Sequence, residues 1–183
     1  MPTDERREQL LDAVLHVIVE QGVHKVSIDV IAREVGVTRP VVYSVFADSD
    51  ALLRASLERE ERGALAQFAA VLEAVGRADP DQRIAVLIRE FLAAVQEAPE
   101  RWRAVLMLAD SSTPAFRRRL DRGREAVVAT LTDIVGDGPD AALTAYALRG
   151  YLFDAGRLTL EAHDRFPVDR LVAFGARTFG RQR

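Results

Sequence analysis

The chain has 183 residues, 49% of them apolar and 29% charged, with no cysteine and a formal charge of −3. That is enough for one core plus a small appended domain, and the missing cysteines exclude a disulfide framework and any thiolate metal site. Neither a signal-peptide apolar core nor an apolar run of membrane-spanning length is visible, so a cytoplasmic protein without a membrane partner is expected.

Residues 5–21 place Leu11, Val14, Leu15 and Ile18 on one helical face, with His16 beside the stripe as a packed or capping histidine. Residues 27–46, SIDVIAREVGVTRPVVYSVF, are the most specific stretch. Ala32 stands four positions before Gly36, and Val42 follows six later. Two short helices crossing steeply need a small side chain where their backbones approach, and glycine suits the tight turn between them. Val42 then plugs the second helix into the first, with Ile31, Val35, Val37 and Val45 also inward. Ser27 and Thr38 precede apolar-periodic runs, as N-caps do. The pattern predicts a helix-turn-helix.

With Val42, Val45 and Phe46 inward, helical periodicity turns Pro40, Val41, Tyr43 and Ser44 outward, with Arg39 at the flank. A recognition helix presents its N-terminal residues to base edges. Arg39 matches guanine, and Pro40 or Val41 matches a thymine methyl. Ser27, Thr38, Tyr43 and Ser44 carry hydroxyls suited to phosphate oxygens; the Tyr43 ring has the second reading of closing the small domain's core. Charge runs against a strong electrostatic footprint. Residues 1–54 hold six Lys or Arg against nine Asp or Glu, so modest non-specific affinity is expected.

Residues 48–75 read as one long helix, broken by Gly76 to Pro80, where Asp79-Pro80 looks like an N-cap with proline in the first turn. The next helix carries Ile84, Leu87, Ile88, Phe91, Leu92 and Val95 as a broad apolar stripe. Pro99 opens a short helix to Leu108. Ser111-Ser112-Thr113-Pro114 repeats the cap-plus-proline start, followed by Phe116, Leu120, Val127, Leu131 and Ile134 as inward positions. Gly136 to Pro139 is a loop, and helices over 140–165 and 168–180 complete the chain. No strand-like alternation of useful length occurs, so the expected fold is all-α with about nine helices. Its parts are a head over 1–47 and a body over 48–183.

The last two helices are rich in small residues, among them Ala142, Ala145, Gly150, Ala155, Gly156 and Gly175. They fit either an oligomer seam or the completion of a monomer core. Arg117, Arg118, Arg119, Arg122 and Arg124 fit either an anion-binding face or a solvated one. His16, His24 and His163 lie far apart, and no metalloprotease, P-loop or nucleophile-elbow motif occurs. No enzyme activity, catalytic residue, metal or cofactor is expected.

The first fifty-odd residues resemble the TetR family of bacterial transcriptional repressors. The resemblance is carried by Glu20-Gln21-Gly22, Ser27, Ile31-Ala32, Val35-Gly36-Val37, Tyr43, Phe46 and Leu52, the last three matching the family's Y-x-x-F-x-x-x-x-x-L spacing. Two positions depart from it. Ser49 stands where the family usually has a lysine, removing one phosphate contact, and Pro40-Val41 replaces the small residues common in the recognition helix. The resemblance implies a homodimer joined through 140–180, bound to a palindromic double-stranded DNA operator. It further implies a small apolar effector that releases a repressor. Phe68, Leu72, Phe91, Trp102, Leu106, Met107, Phe116 and Tyr146 are its candidate lining, with Asp110 and Arg149 as polar anchors. The acidic head and Ser49 motivate the alternative of a helical binding module that has lost specific DNA recognition.

Overall fold

The computed structural model describes the backbone of residues 3–108 and 114–180, and the side chains of 3–106 and 125–180. Among the described residues there are nine α-helices and no strand. Met107, Phe116, Asp110, the 111–113 cap, Leu120 and the arginines between 117 and 124, all singled out by sequence, have side chains outside the described residues.

Helix α1 (Thr3–Gln21) begins with Asp4 and Glu5, which complement its dipole, and it buries Leu10, Leu11, Val14, Leu15, Val17 and Ile18. His16 is not packed: its side chain is 47% exposed and lies 3.7 Å from Glu100 and 3.9 Å from Glu34. Helical rotation puts position 16 on the outer stripe with Asp12 and Glu20. A 3-10 turn, Val23–Lys25, leads to α2 (Ile28–Val35) and α3 (Arg39–Tyr43).

Helix α4 (Ser49–Arg77) runs 29 residues, about 43 Å at 1.5 Å per residue. The Asp48 carboxylate caps it, accepting from Ala51 N–H at 2.7 Å. The helix passes through Gly76, where a break was expected. One helical glycine costs only about 1 kcal/mol, whereas Pro80 forces Asp79 out of the helical region, to ψ 141°. Asp79 makes no side-chain cap bond, and Pro80 opens a 3-10 turn (Pro80–Gln82) ahead of α5 (Arg83–Glu97). Then come α6 (Pro99–Leu108), α7 (Pro114–Val135), α8 (Ala141–Glu161) and α9 (Val168–Phe179). Helix α8 stops four residues short of the expected 165, and residues 162–167 form the turn into α9.

Two cores result. In the body, α5 lies centrally, packed on α4, α8 and α9, with Leu87, Ile88, Leu92 and Val95 fully buried. In the head, Leu10, Leu11, Val14, Val17 and Ile18 of α1 meet Ile28, Ile31 and Ala32 of α2, Val42 of α3, and Phe46. This core extends past residue 47. It takes in Leu52 of α4 and Ala104 of α6, the latter 1% exposed.

Candidate nucleic-acid interface

The turn between α2 and α3 is built as the sequence spacing requires. Ser27 caps α2, its Oγ accepting from Val30 N–H at 3.3 Å. Gly36 ends it in the left-handed region at φ 72°, which favours glycine. Val37 N–H then donates to the Ala32 carbonyl at 2.8 Å. Ala32, Ile31 and Val42 close the crossing, all buried. Phe46 seals its edge, with the Arg7 guanidinium 5.5 Å over its ring. Val35, Val37 and Val45 are only partly buried at the rim of the same core.

Helix α3 is five residues long and turns most of the expected readers to the surface. Thr38, Arg39, Pro40, Tyr43 and Ser44 are exposed, and Val41 is half-buried. Tyr43 is 50% exposed, so its ring is not enclosed by the core. Thr38 holds the N-cap position of α3 by its backbone and makes no side-chain cap bond. Ser44 Oγ donates to the Val41 carbonyl at 2.7 Å. Arg39 Nε pairs with Asp29 Oδ1 of α2 at 3.0 Å. The pair is more than half exposed, so it is worth little as stabilisation. Arg33, also exposed, stands on α2 beside it.

In the body, Phe91 and Trp102 meet edge to face with centroids 5.0 Å apart. Leu106 is buried beside Gly156, where an added Cβ would stand 3.4 Å from Leu106 and 3.5 Å from Phe91. Phe68 and Leu72 are half-buried on α4. Tyr146 does not join this group; it is 54% exposed on the outside of α8. Arg149 lies 5.7 Å from the Phe153 ring, and its buried Nε has no hydrogen-bond partner. Sequence periodicity missed Gln67, whose Oε1 accepts from Trp102 Nε1 at 3.0 Å. A polar residue on an apolar-patterned helix gives no sign of an indole donor thirty-five positions away.

The small residues of α8 and α9 divide. Ala145, Ala155, Gly156 and Gly175 are buried within the protomer; a side chain at Gly175 would collide with Ile88 and Tyr151. The outer face instead presents Ala142, Leu143, Tyr146 and Ala147 on α8 and Ala173 and Phe174 on α9. Leu143 is 68% exposed and Phe174 50%. Neither stood out in the sequence. No helix of the described residues is long and apolar enough to cross a membrane, and those residues hold no group of three or more His, Cys, Asp or Glu fit for a metal ion.

A family profile described as bacterial regulatory proteins, tetR family, matches residues 10–56, the whole of the helix-turn-helix and its support. The chain is 26% identical over 175 residues to the HTH-type transcriptional activator FasR of Mycolicibacterium smegmatis, covering 93% of this chain and 78% of that one. It is 38% identical over 95 residues to the HTH-type transcriptional regulator BetI of Rhizobium meliloti, covering 52% and 46%. A TetR-like transcriptional regulator from Rhodococcus sp. RHA1 superposes with a TM-score of 0.79 at 22% identity, over 96% of this chain and 94% of that one. The transcriptional regulator FadR from Bacillus subtilis, solved in complex with stearoyl-CoA, gives 0.71 at 16% identity, over 94% and 97%. At such identities the structural likeness speaks to the fold. Residues 10–56 are a TetR-family helix-turn-helix, and together with relatives that are themselves regulators they make this chain a DNA-binding transcription regulator of TetR type.

Proposed function

We propose that the chain is a ligand-responsive operator-binding regulator, working as a cytoplasmic homodimer. The reading head is residues 1–47, and residues 48–183 bind the effector and dimerise. The observation that carries the reading is the exposure of Thr38, Arg39, Pro40, Tyr43 and Ser44 on and beside α3; in this reading Arg39, Pro40 and Val41 meet base edges, and Ser27, Thr38, Tyr43 and Ser44 meet phosphates. The exposed apolar face of Leu143, Tyr146 and Phe174 supports a two-fold seam over 140–180. The effector is a small, largely apolar molecule that wedges beside Phe68, Leu72, Phe91, Trp102 and Leu106; the candidates Met107 and Phe116 lie outside the described side chains. The stearoyl-CoA held by the B. subtilis neighbour is of that chemistry in its acyl chain. Binding there favours a dimer conformation unsuited to the operator, which releases a repressor. A second reading, activation, is favoured by the relative named as an activator across nearly the whole chain.

Selection from a random duplex library at moderate salt tests the DNA reading, and transcription from the recovered site gives the sign. A near-palindrome with half-sites about 10 bp apart, or a multiple, is expected. Arg39→Ala should cost about 1–3 kcal/mol on that site and relax one base position. Tyr43→Ala should weaken specific and random DNA alike. Recovery of no enriched motif would favour a binding module without specific DNA recognition.

A further inference from the structure

The junction between head and body is held by a buried charge. Glu60, on α4, is 3% exposed, and each of its carboxylate oxygens takes one guanidinium. Oε1 accepts from Arg59 Nε at 2.7 Å, and Oε2 accepts from Arg101 Nε, on α6, at 2.9 Å. Arg59 reaches onward to α1, its Nη1 3.0 Å from Glu8 Oε2 and 2.8 Å from Asp12 Oδ1. Burial alone would lower the Arg59 pKa, but hydrogen bonds to Glu8, Glu60 and Asp12 outweigh it and hold the guanidinium above its ordinary value. Arg101 Nη1 donates to Gln67 Oε1 at 3.3 Å, the oxygen that also receives the Trp102 indole. Gln67 Nε2 in turn donates to the Ala94 carbonyl of α5 at 3.3 Å. An unbroken polar chain therefore runs from helix α1 of the head to the aromatic pair in the body's core.

Room for this chain is made in the sequence. Gly63 sits in the interior of α4, where glycine is unfavourable. An added Cβ there would lie 2.5 Å from Arg101 Cζ and Nε. The glycine lets the Arg101 guanidinium cross the helix. The network also borders an open cleft of about 520 Å³ between α1, α4 and α6. A buried ion pair is a weak source of stability compared with well-packed apolar side chains, but this one fixes the positions of two guanidinium groups at once.

We propose that Glu60 is the positioning residue of the reading head: by holding its α4 neighbour Arg59, which pairs with Glu8 and Asp12 of α1, together with Arg101 of α6, it ties head orientation to the Gln67–Trp102 contact in the body. The inference rests on the DNA reading above. It makes the two events reciprocal, so DNA bound at the head must be felt at Trp102 without any effector present.

Trp102 is the only tryptophan in the chain, which makes its emission a site-specific readout. The experiment adds the duplex recovered by selection to the full-length protein. It follows Trp102 emission and, separately, the anisotropy of labelled duplex, with a scrambled duplex as control. Wild type should bind the selected duplex and shift its emission. Glu60→Gln keeps the shape and removes the charge; Gly63→Ala keeps every charge, favours the helix and displaces the flexible Arg101 tip. Both variants should bind the selected duplex about 5- to 150-fold more weakly, bind the scrambled duplex as wild type does, and lose the emission shift. If wild type binds with no change in Trp102 emission, or both variants keep the full shift, the inference is overturned while the DNA reading stands. If wild type binds no duplex, both fall.

Discussion

The head and the body are both helical and apolar-cored, yet they tie residue identity to structure in different ways. In the head almost every position has one geometric duty. Gly36 takes a left-handed turn, Ala32 lets two backbones close, and Val42 and Phe46 fill the space behind α3. In the body the same job is spread over long helices. Leu87, Ile88, Leu92 and Val95 of α5 are buried on several sides, and a neighbouring aliphatic side chain would serve nearly as well. A small domain with a sharp turn allows few solutions, so its sequence is specific. A helical bundle allows many, and residue identity there matters most at particular contacts: the junction around Glu60 and the Phe91–Trp102 pair.

The largest expected effect makes the body break what the head does. Leu143 and Tyr146 touch no presumed reader, and each is more than half exposed. Leu143→Glu should change the protomer's own stability by no more than about 0.5 kcal/mol. In a two-fold seam the charge appears twice, facing an apolar partner. Light scattering over a dilution series should show a shift to monomer, and operator binding should weaken by about a hundredfold or more as the linkage between two heads is lost. A variant that stays dimeric at the lowest concentration would remove this face from the seam. Gly156→Leu is not an equivalent probe, because Gly156 packs on Leu106, Phe91 and Val95 within its own chain.

What could be read from the sequence follows the same division. The Ala32–Gly36–Val42 spacing led to the correct turn, with the correct glycine at positive φ, because that geometry is local. Helix ends in the body were displaced where two signals competed: Gly76 is a weak breaker and Pro80 a strong one, and the helix obeyed the proline. Small residues on α8 and α9 signalled close approach without saying to what. Gly156 and Gly175 approach their own protomer, and the exposed apolar face belongs to Leu143, Tyr146 and Phe174 instead. The Glu60 network was invisible for a plainer reason. Its members come from α1, α4 and α6, and no local pattern in a charged sequence says which carboxylate is buried.

Glycine sharpens the comparison, because one substitution should have opposite signs in the two regions. Gly36 has open space around its missing Cβ, and so has Gly76. Sterics are thus equal and only the backbone differs. Gly36→Ala must adopt φ 72°, which costs an L-residue about 1–2 kcal/mol. Gly76→Ala lies inside α4 and should gain about 0.5–1 kcal/mol by removing flexibility from the unfolded chain. Urea unfolding at one fixed protein concentration measures both. Equal signs would mean that the α2–α3 turn relaxes away from the left-handed geometry when glycine is lost.

The smallest effect separates two hydroxyls in the head that the sequence treated alike. Both Ser27 and Thr38 precede a helix, but only the Ser27 Oγ accepts a cap bond, from Val30 N–H. An accepting hydroxyl still has its proton to donate, so Ser27 can cap α2 and meet a phosphate at once. Ser27→Ala should therefore cost about 1 kcal/mol of stability and also weaken DNA binding. Thr38→Ala should leave the urea midpoint within about 0.5 kcal/mol of wild type. It should reduce affinity for operator and scrambled duplex by the same modest factor, on the order of 1 kcal/mol, since a phosphate contact carries no base information. Titrating both duplexes against both variants distinguishes the two functions. If Thr38→Ala destabilises the fold as much as Ser27→Ala, its hydroxyl is capping α3 after all, and the phosphate assignment loses its basis.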